Sequence, residues 1–279
     1  MTRTLAIANQ KGGVGKTTTS VNLAASLHSC GKRVLLVDLD PQGNATMGSG
    51  VDKASLEKSV YDILSGDSDI SDVIHYQAAN GYDLLPANSD LTAAEVELLS
   101  IVNRERRLDH ALVAVSDQYD FILIDCPPSL NMLTINALAA SDGVIIPMQC
   151  EYYALEGLSA LVTTVARIGK QLNPKLRVEG LLRTMYDPRN SLTNEVSSQL
   201  HAHFGDRVYR TVIPRNVRLA EAPSYGQPVL TYDRYSKGAA SYLSLAAEII
   251  QHAGGVLGTA RVVENSPEAG FSAARDEFL

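Results

Sequence analysis

A short segment near the N-terminus contains the residue types that bind a polyphosphate. Lys11-Gly12-Gly13-Val14-Gly15-Lys16-Thr17-Thr18 follows the apolar run Leu5-Ala6-Ile7-Ala8, with Asn9 and Gln10 between them. Glycines allow main-chain N–H groups to point at an anion with no Cβ in the way, and a lysine followed by a hydroxyl binds phosphate and Mg²⁺. The segment therefore predicts a phosphate-binding loop between a strand and a helix.

The two lysines of this loop have different expected roles. The common pattern G-x-x-x-x-G-K-[ST] accounts for Lys16 and Thr17, which would hold the β- and γ-phosphates and Mg²⁺ at the positive end of a helix. Gln10 replaces the first glycine of that pattern, and Lys11 follows as an additional cation. Because Lys16 already serves a single nucleotide, Lys11 is left for another phosphate or another subunit. The plain alternatives are a glycine-rich turn without a ligand and a solvated Lys11.

Three carboxylates are expected at one end of the predicted sheet. Asp125 ends the apolar run Phe121-Ile122-Leu123-Ile124, and Asp38 and Asp40 follow the run Val34-Leu35-Leu36-Val37. Doubly wound sheets bind ligands at the carboxyl ends of their strands. Asp125 is therefore predicted to hold the Mg²⁺ shell with support from Asp38, while Asp40 would position an attacking water. A helix cap or a turn is the alternative for Asp125, and a structural role is the alternative for Asp38 and Asp40.

The elements that must position these residues follow from the hydrophobic pattern. Apolar runs alternate with helical patterns, which predicts an α/β fold with a doubly wound, mostly parallel twisted sheet and helices on both faces. Strands are predicted at about 3–9, 33–39, 82–86, 120–125, 143–148, 178–185 and 209–213. Helices are predicted at about 16–29, 56–65, 91–115 with a break, 131–140, 154–172, 191–203 and 238–252.

The length of 279 residues favours one large domain. We expect this domain to span residues 1–253 and to be followed by a flexible tail over 254–279, which has no hydrophobic periodicity. No apolar run approaches the roughly 18 to 20 residues of a membrane span, and we expect no signal peptide. Cys30, Cys126 and Cys150 are far apart in the sequence, which favours thiols in a reducing cytoplasm over a disulfide framework or a metal site.

Charge is unevenly distributed along the chain. The formal net charge is −7, yet residues 167–237 contain twelve Lys or Arg and only six Asp or Glu. The remaining residues contain twelve Lys or Arg and twenty-five Asp or Glu. This asymmetry predicts a basic face on an acidic body, although solvated side chains in chance excess would give the same numbers.

Several motifs together resemble one family. Lys11–Thr18, Asp38-Leu39-Asp40-Pro41-Gln42-Gly43-Asn44 and Asp125-Cys126-Pro127-Pro128-Ser129 are similar to the deviant Walker A, switch and Walker B motifs of the ParA/MinD ATPases. Pro214–Ser224 and Asp233–Gly238 narrow the resemblance to the chromosomal ParA (Soj) branch, over residues 2 to about 252.

The resemblance implies an ATPase with ATP and Mg²⁺ as cofactors. Two ATP-bound subunits would close face to face, and Lys11 would cross to the triphosphate of the partner, where it would neutralise charge that develops in phosphoryl transfer. Gly12 would lie where the two loops approach each other, and Met185 and Pro214 near the adenine. The catalytic residues implied are Lys11, Lys16 and Asp40. The remaining nucleotide contacts implied are Gly12, Gly13, Val14, Gly15, Thr17 and Thr18.

The resemblance also implies partners and a cellular place. The ATP-bound homodimer would bind double-stranded DNA non-specifically and leave it after a ParB-type centromere-binding protein stimulates weak intrinsic hydrolysis. The protein would then be cytoplasmic and associated with the nucleoid, without stable membrane attachment. The basic residues predicted to contact DNA are Arg189, Arg215, Arg218, Arg234 and Lys237.

Three other classes use a similar loop. A MinD-like positioning ATPase would need a basic amphipathic helix at its C-terminus, and residues 256–279 show no such stripe. A relative of the nitrogenase iron protein would need paired cysteine ligands, which Cys126 and Cys150 do not provide. A metabolic enzyme such as dethiobiotin synthetase is disfavoured by Lys11 together with Arg215-Asn216-Val217-Arg218.

Overall fold

The centre of the molecule is a sheet of seven parallel strands, in the order β3-β2-β4-β1-β5-β6-β7. The computed structural model describes residues 2–76, 80–152 and 154–254, apart from the side chain of residue 156. The strands are β1 Arg3–Ile7, β2 Val34–Asp38, β3 Asp83–Leu85, β4 Phe121–Asp125, β5 Gly143–Gln149, β6 Arg177–Tyr186 and β7 Val208–Pro214.

Helices cover both faces of this sheet. The helices of the described residues are α1 Lys16–Ser29, α2 Asn44–Gly48, α3 Val60–Ser65, α4 Ile70–Val73, α5 Leu91–Glu97, α6 Arg107–Val113, α7 Met132–Ala140, α8 Ala154–Gln171, α9 Ser191–Phe204, α10 Val217–Glu221, α11 Val229–Tyr232 and α12 Lys237–His252. None of the helices in the described ranges is long and apolar enough to cross a membrane.

The continuous apolar strands are explained by burial on two sides. Every residue of β2 and β4 is buried, and neighbours along each strand pack into different cores. Leu35 belongs to the core beneath α3 and α5–α9, whereas Leu36 belongs to the core beneath α1 and α12. The structure therefore confirms the doubly wound, parallel arrangement predicted from the alternation of apolar runs and helical patterns.

The helices differ from the predicted ones in two ways: a capping box fixes the first residue of one helix, and several helices are too short to be predicted. The helix predicted from residue 56 begins at Val60, because the Ser59 hydroxyl and the Asp62 carboxylate form a capping box. The helical region 91–115 divides into α5 and α6 with 3₁₀ turns between them. Helices of four or five residues were not predicted, since they are too short to show periodicity: α2, α4, α10 and α11.

The order of the strands places a crevice beside β1. The chain leaves β1 toward β2 on one side, and it leaves the adjacent β4 toward β5 on the other side. The helices that follow these two neighbours, α1 and α7, consequently lie on opposite faces. Open parallel sheets bind ligands at such a reversal. The division into a domain over 1–253 and a tail stays a prediction, and residues 255–279 lie outside the described part of the chain.

Candidate nucleotide-binding site

The loop between β1 and α1 leaves main-chain donors at the start of α1 without a side-chain cap. Gly13 and Gly15 have φ angles of 72° and 89°, a region that suits glycine. Gly15 is the N-cap of α1, and neither a side-chain cap nor an acidic residue in the first turn occupies the free N–H groups there. The 14-residue helix also contributes the positive end of its dipole. The loop is thus built to accept an anion, as the sequence predicts.

Lys16 is buried in this loop with its charge available. Its side chain is only 7% exposed, and Nζ donates to the Lys11 carbonyl over 3.3 Å. Burial lowers the pKa of Lys16, while the carboxylates of Asp125 and Asp40 oppose that shift. No ion pair of Lys16 occurs among the described residues. A triphosphate would supply the counter-charge that this lysine lacks.

Two hydroxyls of α1 hold the Asp125 carboxylate at the end of β4. Thr17 Oγ1 donates to Asp125 Oδ2 over 2.8 Å, and Ser20 Oγ donates to Oδ1 over 2.8 Å. Hydroxyl and carboxylate oxygens are the ligands that Mg²⁺ prefers. The predicted metal residues Thr17 and Asp125 therefore do lie together, and Ser20 fixes the orientation of the carboxylate.

Asp38 and Asp125 form a buried acidic pair. They are register partners across β2 and β4, and both are fully buried. Burial is the largest cause that raises the pKa of both carboxyl groups, and the Asp38 charge raises that of Asp125 further. Two adjacent carboxylates in a low-dielectric environment repel each other unless a proton or a cation is present. This electrostatic arrangement fits a divalent cation.

Asp38 uses both of its oxygens to organise the segment that follows β2. Oδ1 accepts from the Asp40 N–H over 3.1 Å, and Oδ2 accepts from the N–H and hydroxyl of Thr46 over 2.8 and 2.7 Å. The same Thr46 hydroxyl accepts from the Ala87 N–H after β3. The predicted metal role of Asp38 stays a prediction, since its contacts here are with the loop alone.

Asp40 lies at the entrance of the site with one oxygen available. Its Oδ1 accepts from the Gln42 N–H over 3.0 Å, whereas Oδ2 accepts no hydrogen bond from the described residues. The side chain is 8% exposed, and its charge acts on Lys16. A carboxylate in this position can hold a water beside a phosphate bound by Lys16, which is the role predicted from the sequence.

Lys11 lies in a different environment from Lys16. Its side chain is 49% exposed, and Nζ forms an ion pair of 2.5 Å with Glu151, which is equally exposed and follows β5. Gln149, at the end of β5, donates to the Gly13 carbonyl over 3.1 Å. The surplus lysine is therefore held by a carboxylate at the protein surface, whereas Lys16 is buried.

Met185 and Pro214 lie on neighbouring strands at the same edge of the sheet. Met185 has a φ of 49°, and its Sδ accepts from Gln149 Nε2, which connects it to the phosphate loop. Its neighbour Thr184 donates to the Val14 carbonyl over 2.7 Å. Tyr186 pairs with Pro214 at the ends of β6 and β7. The structure thus connects Met185 to the loop and places Pro214 at the end of the next strand, and the contact of both residues with adenine stays a prediction.

The five basic residues predicted to bind DNA gather near the carboxyl ends of β6 and β7. Two of them are already paired within the chain. Arg189 makes a bidentate pair with Asp187, with distances of 2.9 and 2.8 Å. Arg218 contacts Glu221 over 2.8 Å and Asp233 over 3.2 Å. These two arginines are less available to phosphate than the sequence suggests.

The other three have fewer carboxylate contacts. Arg215 is exposed directly after β7, and its charge helps Arg189 to lower the pKa of Asp187. Arg234 lies over the Tyr235 ring at 5.6 Å, and Lys237 opens α12. No described ion pair involves these three side chains.

Known proteins are similar to this chain over most of its length. A family model described as an AAA domain matches residues 2–178. The sporulation initiation inhibitor protein Soj of Bacillus subtilis is 57% identical over 249 residues, which cover 89% of this chain and 98% of Soj. The chromosome partitioning protein ParA of Caulobacter vibrioides is 51% identical over 250 residues, which cover 89% of this chain and 94% of that protein. The chain belongs to the ParA/Soj family of chromosome-partitioning ATPases.

A solved structure connects the ParA/Soj family site to its cofactors. The cobyrinic acid a,c-diamide synthase of Mycobacterium smegmatis, crystallised with ADP and magnesium, is 39% identical with a TM-score of 0.80, and the match covers 91% of this chain and 96% of that protein. That structure contains a nucleotide and a magnesium ion, which are the kinds of ligand that the phosphate loop of this ParA/Soj chain predicts. Lys16 and the N–H groups of the loop fit the phosphates, and Thr17 with Asp125 fits the metal ion.

Several residues of the site were missed at the level of sequence. Ser20 lies three residues after Thr17 and so on the same face of α1, a spacing that could have identified it. Glu151 follows the carboxyl end of β5, and ligands of doubly wound sheets bind at the carboxyl ends of the strands, so its position could have indicated it. Thr46 and Gln149 act through contacts with distant parts of the chain, and no local pattern indicates them.

Proposed function

We propose that this chain is a DNA-segregation switch: its ATP-bound homodimer binds double-stranded DNA non-specifically, and hydrolysis stimulated by a ParB-type partner releases it. The observation that carries this proposal is the contrast between the two lysines of the phosphate loop. Lys16 is buried and lacks a carboxylate partner in the described structure, whereas Lys11 is half exposed and held by Glu151 at the surface. A loop that binds only the nucleotide of its own subunit needs Lys16 but not Lys11.

Closure of the dimer would replace a weak contact of Lys11 with a strong one. An ion pair between two half-exposed side chains contributes roughly 0–1 kcal/mol, because water screens both charges. A triphosphate enclosed between two subunits carries several negative charges in a drier environment, where such contacts are stronger. Lys11 would therefore leave Glu151 and reach the nucleotide of the second subunit. ATP, with its γ-phosphate, would support this exchange better than ADP.

The remaining site residues would divide the hydrolytic work. Lys16 and the loop N–H groups would bind the phosphates, and Asp40 would orient water with its free oxygen. Thr17 and Asp125 would hold Mg²⁺, which supplies charge neutralisation at the phosphates. Hydrolysis would then remove the contact that holds Lys11 across the interface and so allow the dimer to open.

The DNA contacts would come from the basic residues at the ends of β6 and β7. Each subunit offers only a few unpaired cations there, and non-specific binding to phosphates weakens steeply when cations are few. Two subunits double the number of contacts in one particle, so dimerisation raises the affinity well above that of either subunit. ATP would thereby control association with the nucleoid in the cytoplasm, without stable membrane attachment.

A DNA-retention assay tests the proposal directly. Arbitrary duplex DNA should retain the protein with ATP and Mg²⁺, and should not retain it with ADP or without nucleotide. Lys16→Ala should lose ATP binding and DNA retention together. Lys11→Ala should still bind ATP, while dimerisation and DNA retention are lost.

Asp40→Ala separates hydrolysis from assembly in the same assay. This variant should dimerise with ATP and stay on DNA, because its defect lies in the hydrolytic step. Retention of wild-type protein that is independent of nucleotide would contradict the proposed switch. Loss of ATP-dependent dimers in Asp40→Ala would contradict the role given to Asp40.

A further inference from the structure

Arg218, one of the basic residues proposed to contact DNA, is held by two carboxylates of its own chain. Its Nη1 donates to Glu221 Oε2 over 2.8 Å, and its Nε lies 3.2 Å from Asp233 Oδ2. We call Glu221 and Asp233 the carboxylate clamp. A phosphate binds arginine best through two parallel hydrogen bonds, so it would need donors that the carboxylate clamp now occupies.

The first member of the clamp is fixed by a pair of tyrosines. The Tyr232 hydroxyl donates to Glu221 Oε2 over 3.2 Å, and the Tyr232 ring stacks on that of Tyr225 with centroids 4.9 Å apart. One carboxylate oxygen thus accepts from both Arg218 and Tyr232, which keeps Glu221 directed at the arginine.

The second member of the clamp depends on a very short helix. α11 has only four residues, and its N-cap, Pro228, provides no side-chain cap. A helix of this length has no independent stability, so its contacts with neighbouring elements determine its position. Asp233 follows α11 directly, and its N–H donates to the Val229 carbonyl over 2.8 Å. The residue that holds Val229 therefore also places Asp233 against Arg218.

Val229 is held by a residue of the nucleotide helix α1. Asn22 Oδ1 accepts from the Val229 N–H over 2.6 Å, and Asn22 Nδ2 donates to the Thr18 carbonyl over 2.7 Å. Asn22 is 4% exposed, so its hydrogen bonds are shielded from water. Thr18 lies in the first turn of α1, where the phosphates are predicted to bind. One buried amide thus connects the phosphate end of α1 with the turn that carries Asp233.

We propose that the carboxylate clamp competes with DNA phosphates for Arg218, and that Asn22 sets the strength of this competition from α1. The side chains of Arg218 and both clamp residues are a third to a half exposed. Water screens ion pairs of this kind, so the phosphates of a polyanion can displace them. A shift of the first turn of α1 on phosphate binding would reach Asp233 through Asn22 and loosen the clamp.

ATP would then act on the DNA surface within each subunit, in addition to bringing two subunits together. The inference rests on the proposed contact of Arg218 with DNA. Asn22 is a positioning residue in this arrangement, because it would act on DNA binding only through the carboxylate clamp.

Fluorescence anisotropy of the full chain with a labelled duplex of arbitrary sequence tests the clamp. Glu221→Gln combined with Asp233→Asn should bind the duplex roughly threefold to tenfold more tightly than wild type, because Arg218 loses its competing partners. Adding Arg218→Ala to this clamp variant should remove most of the gain. The matched control is Asp117→Asn combined with Asp206→Asn, since these exposed carboxylates lie in the turns before β4 and β7. The control variant has the same net charge and should bind nearly as wild type.

A double-mutant cycle tests the role of Asn22. Asn22→Ala should lower the ratio of duplex affinity in ATP to that in ADP by roughly fivefold, because α11 is no longer connected to the first turn of α1. In the clamp variant, the same substitution should leave this ratio unchanged. Thr19→Val is the control for lost stability, since it removes a buried hydrogen bond from α1 to α12 and should keep the wild-type ratio.

The outcomes separate this inference from the proposed function. If ATP retains wild type on DNA but the clamp variant binds no more tightly, the inference is wrong and the proposed function stands. An equal gain in the control variant would also overturn the inference, because net charge alone would then explain it. An equal effect of Asn22→Ala with and without the clamp would contradict the role of Asn22.

Two further results concern the proposed function. Wild-type binding that is independent of nucleotide, together with tighter binding by the clamp variant, would contradict the switch and support the clamp. Absence of duplex binding by both wild type and the clamp variant would overturn the inference and the proposed function together.

Discussion

Single residues in this site differ mainly in burial, and burial determines what each can do. Lys11 and Lys16 are five positions apart in one loop, yet Lys11 is half exposed and Lys16 is 7% exposed. Desolvation makes the charge of Lys16 costly until an anion arrives, while water screens the charge of Lys11. The same residue type therefore acts as a phosphate anchor in one position and as a movable cation in the other.

The buried pair Asp38 and Asp125 gives the stability of the protein an unusual pH dependence. Burial raises the pKa of both carboxyl groups, so the folded chain binds more protons than the unfolded chain above the ordinary carboxyl pKa. Without nucleotide and Mg²⁺, the protein should thus lose stability as pH rises from about 4 to about 8, because the folded chain must give up protons that it holds more tightly than the unfolded chain. Urea unfolding at a series of pH values measures this slope.

A pair of variants assigns the slope to the buried carboxylates. Asp125→Asn should reduce the slope, because the amide does not titrate and only Asp38 of the pair still does. Asp120→Asn is the matched control, since Asp120 precedes the same strand but bonds to the exposed Arg33, and it should keep the slope. ATP with Mg²⁺ should also flatten the slope in wild type. An identical slope in wild type and Asp125→Asn would show that other groups cause it.

At the scale of elements, Thr46 connects three segments around the nucleotide. Its hydroxyl donates to Asp38 and accepts from the Ala87 N–H, and Asp38 in turn holds the Asp40 N–H. Thr46→Val keeps the shape but leaves buried polar groups unpaired, which should cost roughly 1–3 kcal/mol of stability. Because Asp40 loses its support, ATP hydrolysis should slow while ATP binding persists. Single-turnover hydrolysis and equilibrium nucleotide binding measure the two effects.

Thr19→Val provides the matched control for that experiment. Thr19 is as buried as Thr46, but its hydroxyl bonds to Tyr242 of α12 on the other side of α1. This variant should lose comparable stability and hydrolyse ATP at the wild-type rate. Equal slowing in both variants would mean that lost stability alone, rather than the position of Asp40, affects the reaction.

The elements also show how far the sequence determines the site. Apolar runs and glycine-rich turns are local signals, so β1, the phosphate loop, α1 and Asp125 at the end of β4 could be predicted. The ion pair between Lys11 and Glu151 spans 140 positions, and no local pattern indicates which carboxylate a surface lysine finds. The pairing of Arg218 with Glu221 and Asp233 could not be predicted either. The composition gives the number of charged side chains but not which of them form ion pairs.

At the scale of the whole molecule, β7 offers an internal comparison for DNA binding. Arg207 and Arg215 are both exposed and flank this strand, at its amino and carboxyl ends respectively. Arg215→Glu should abolish or strongly weaken ATP-dependent DNA retention, and the salt dependence of any residual binding should be shallower. Arg207→Glu changes net charge equally and should bind as wild type. Equal losses in both variants would indicate that overall charge, rather than the carboxyl edge, determines DNA binding.

The order of the strands has one more consequence, because it separates charge along the width of the sheet. The segment 59–109, which is rich in Asp and Glu, contains β3, the strand at one margin of the sheet. The basic loops follow β6 and β7, which lie at the opposite margin. Such a molecule has a permanent electric dipole moment, and the field of a polyanion exerts a torque on it before contact. A phosphate backbone would therefore attract the β7 margin of the chain and repel the margin at β3. One arrangement of strands thus sets the direction of approach and leaves the opposite margin accessible from solution.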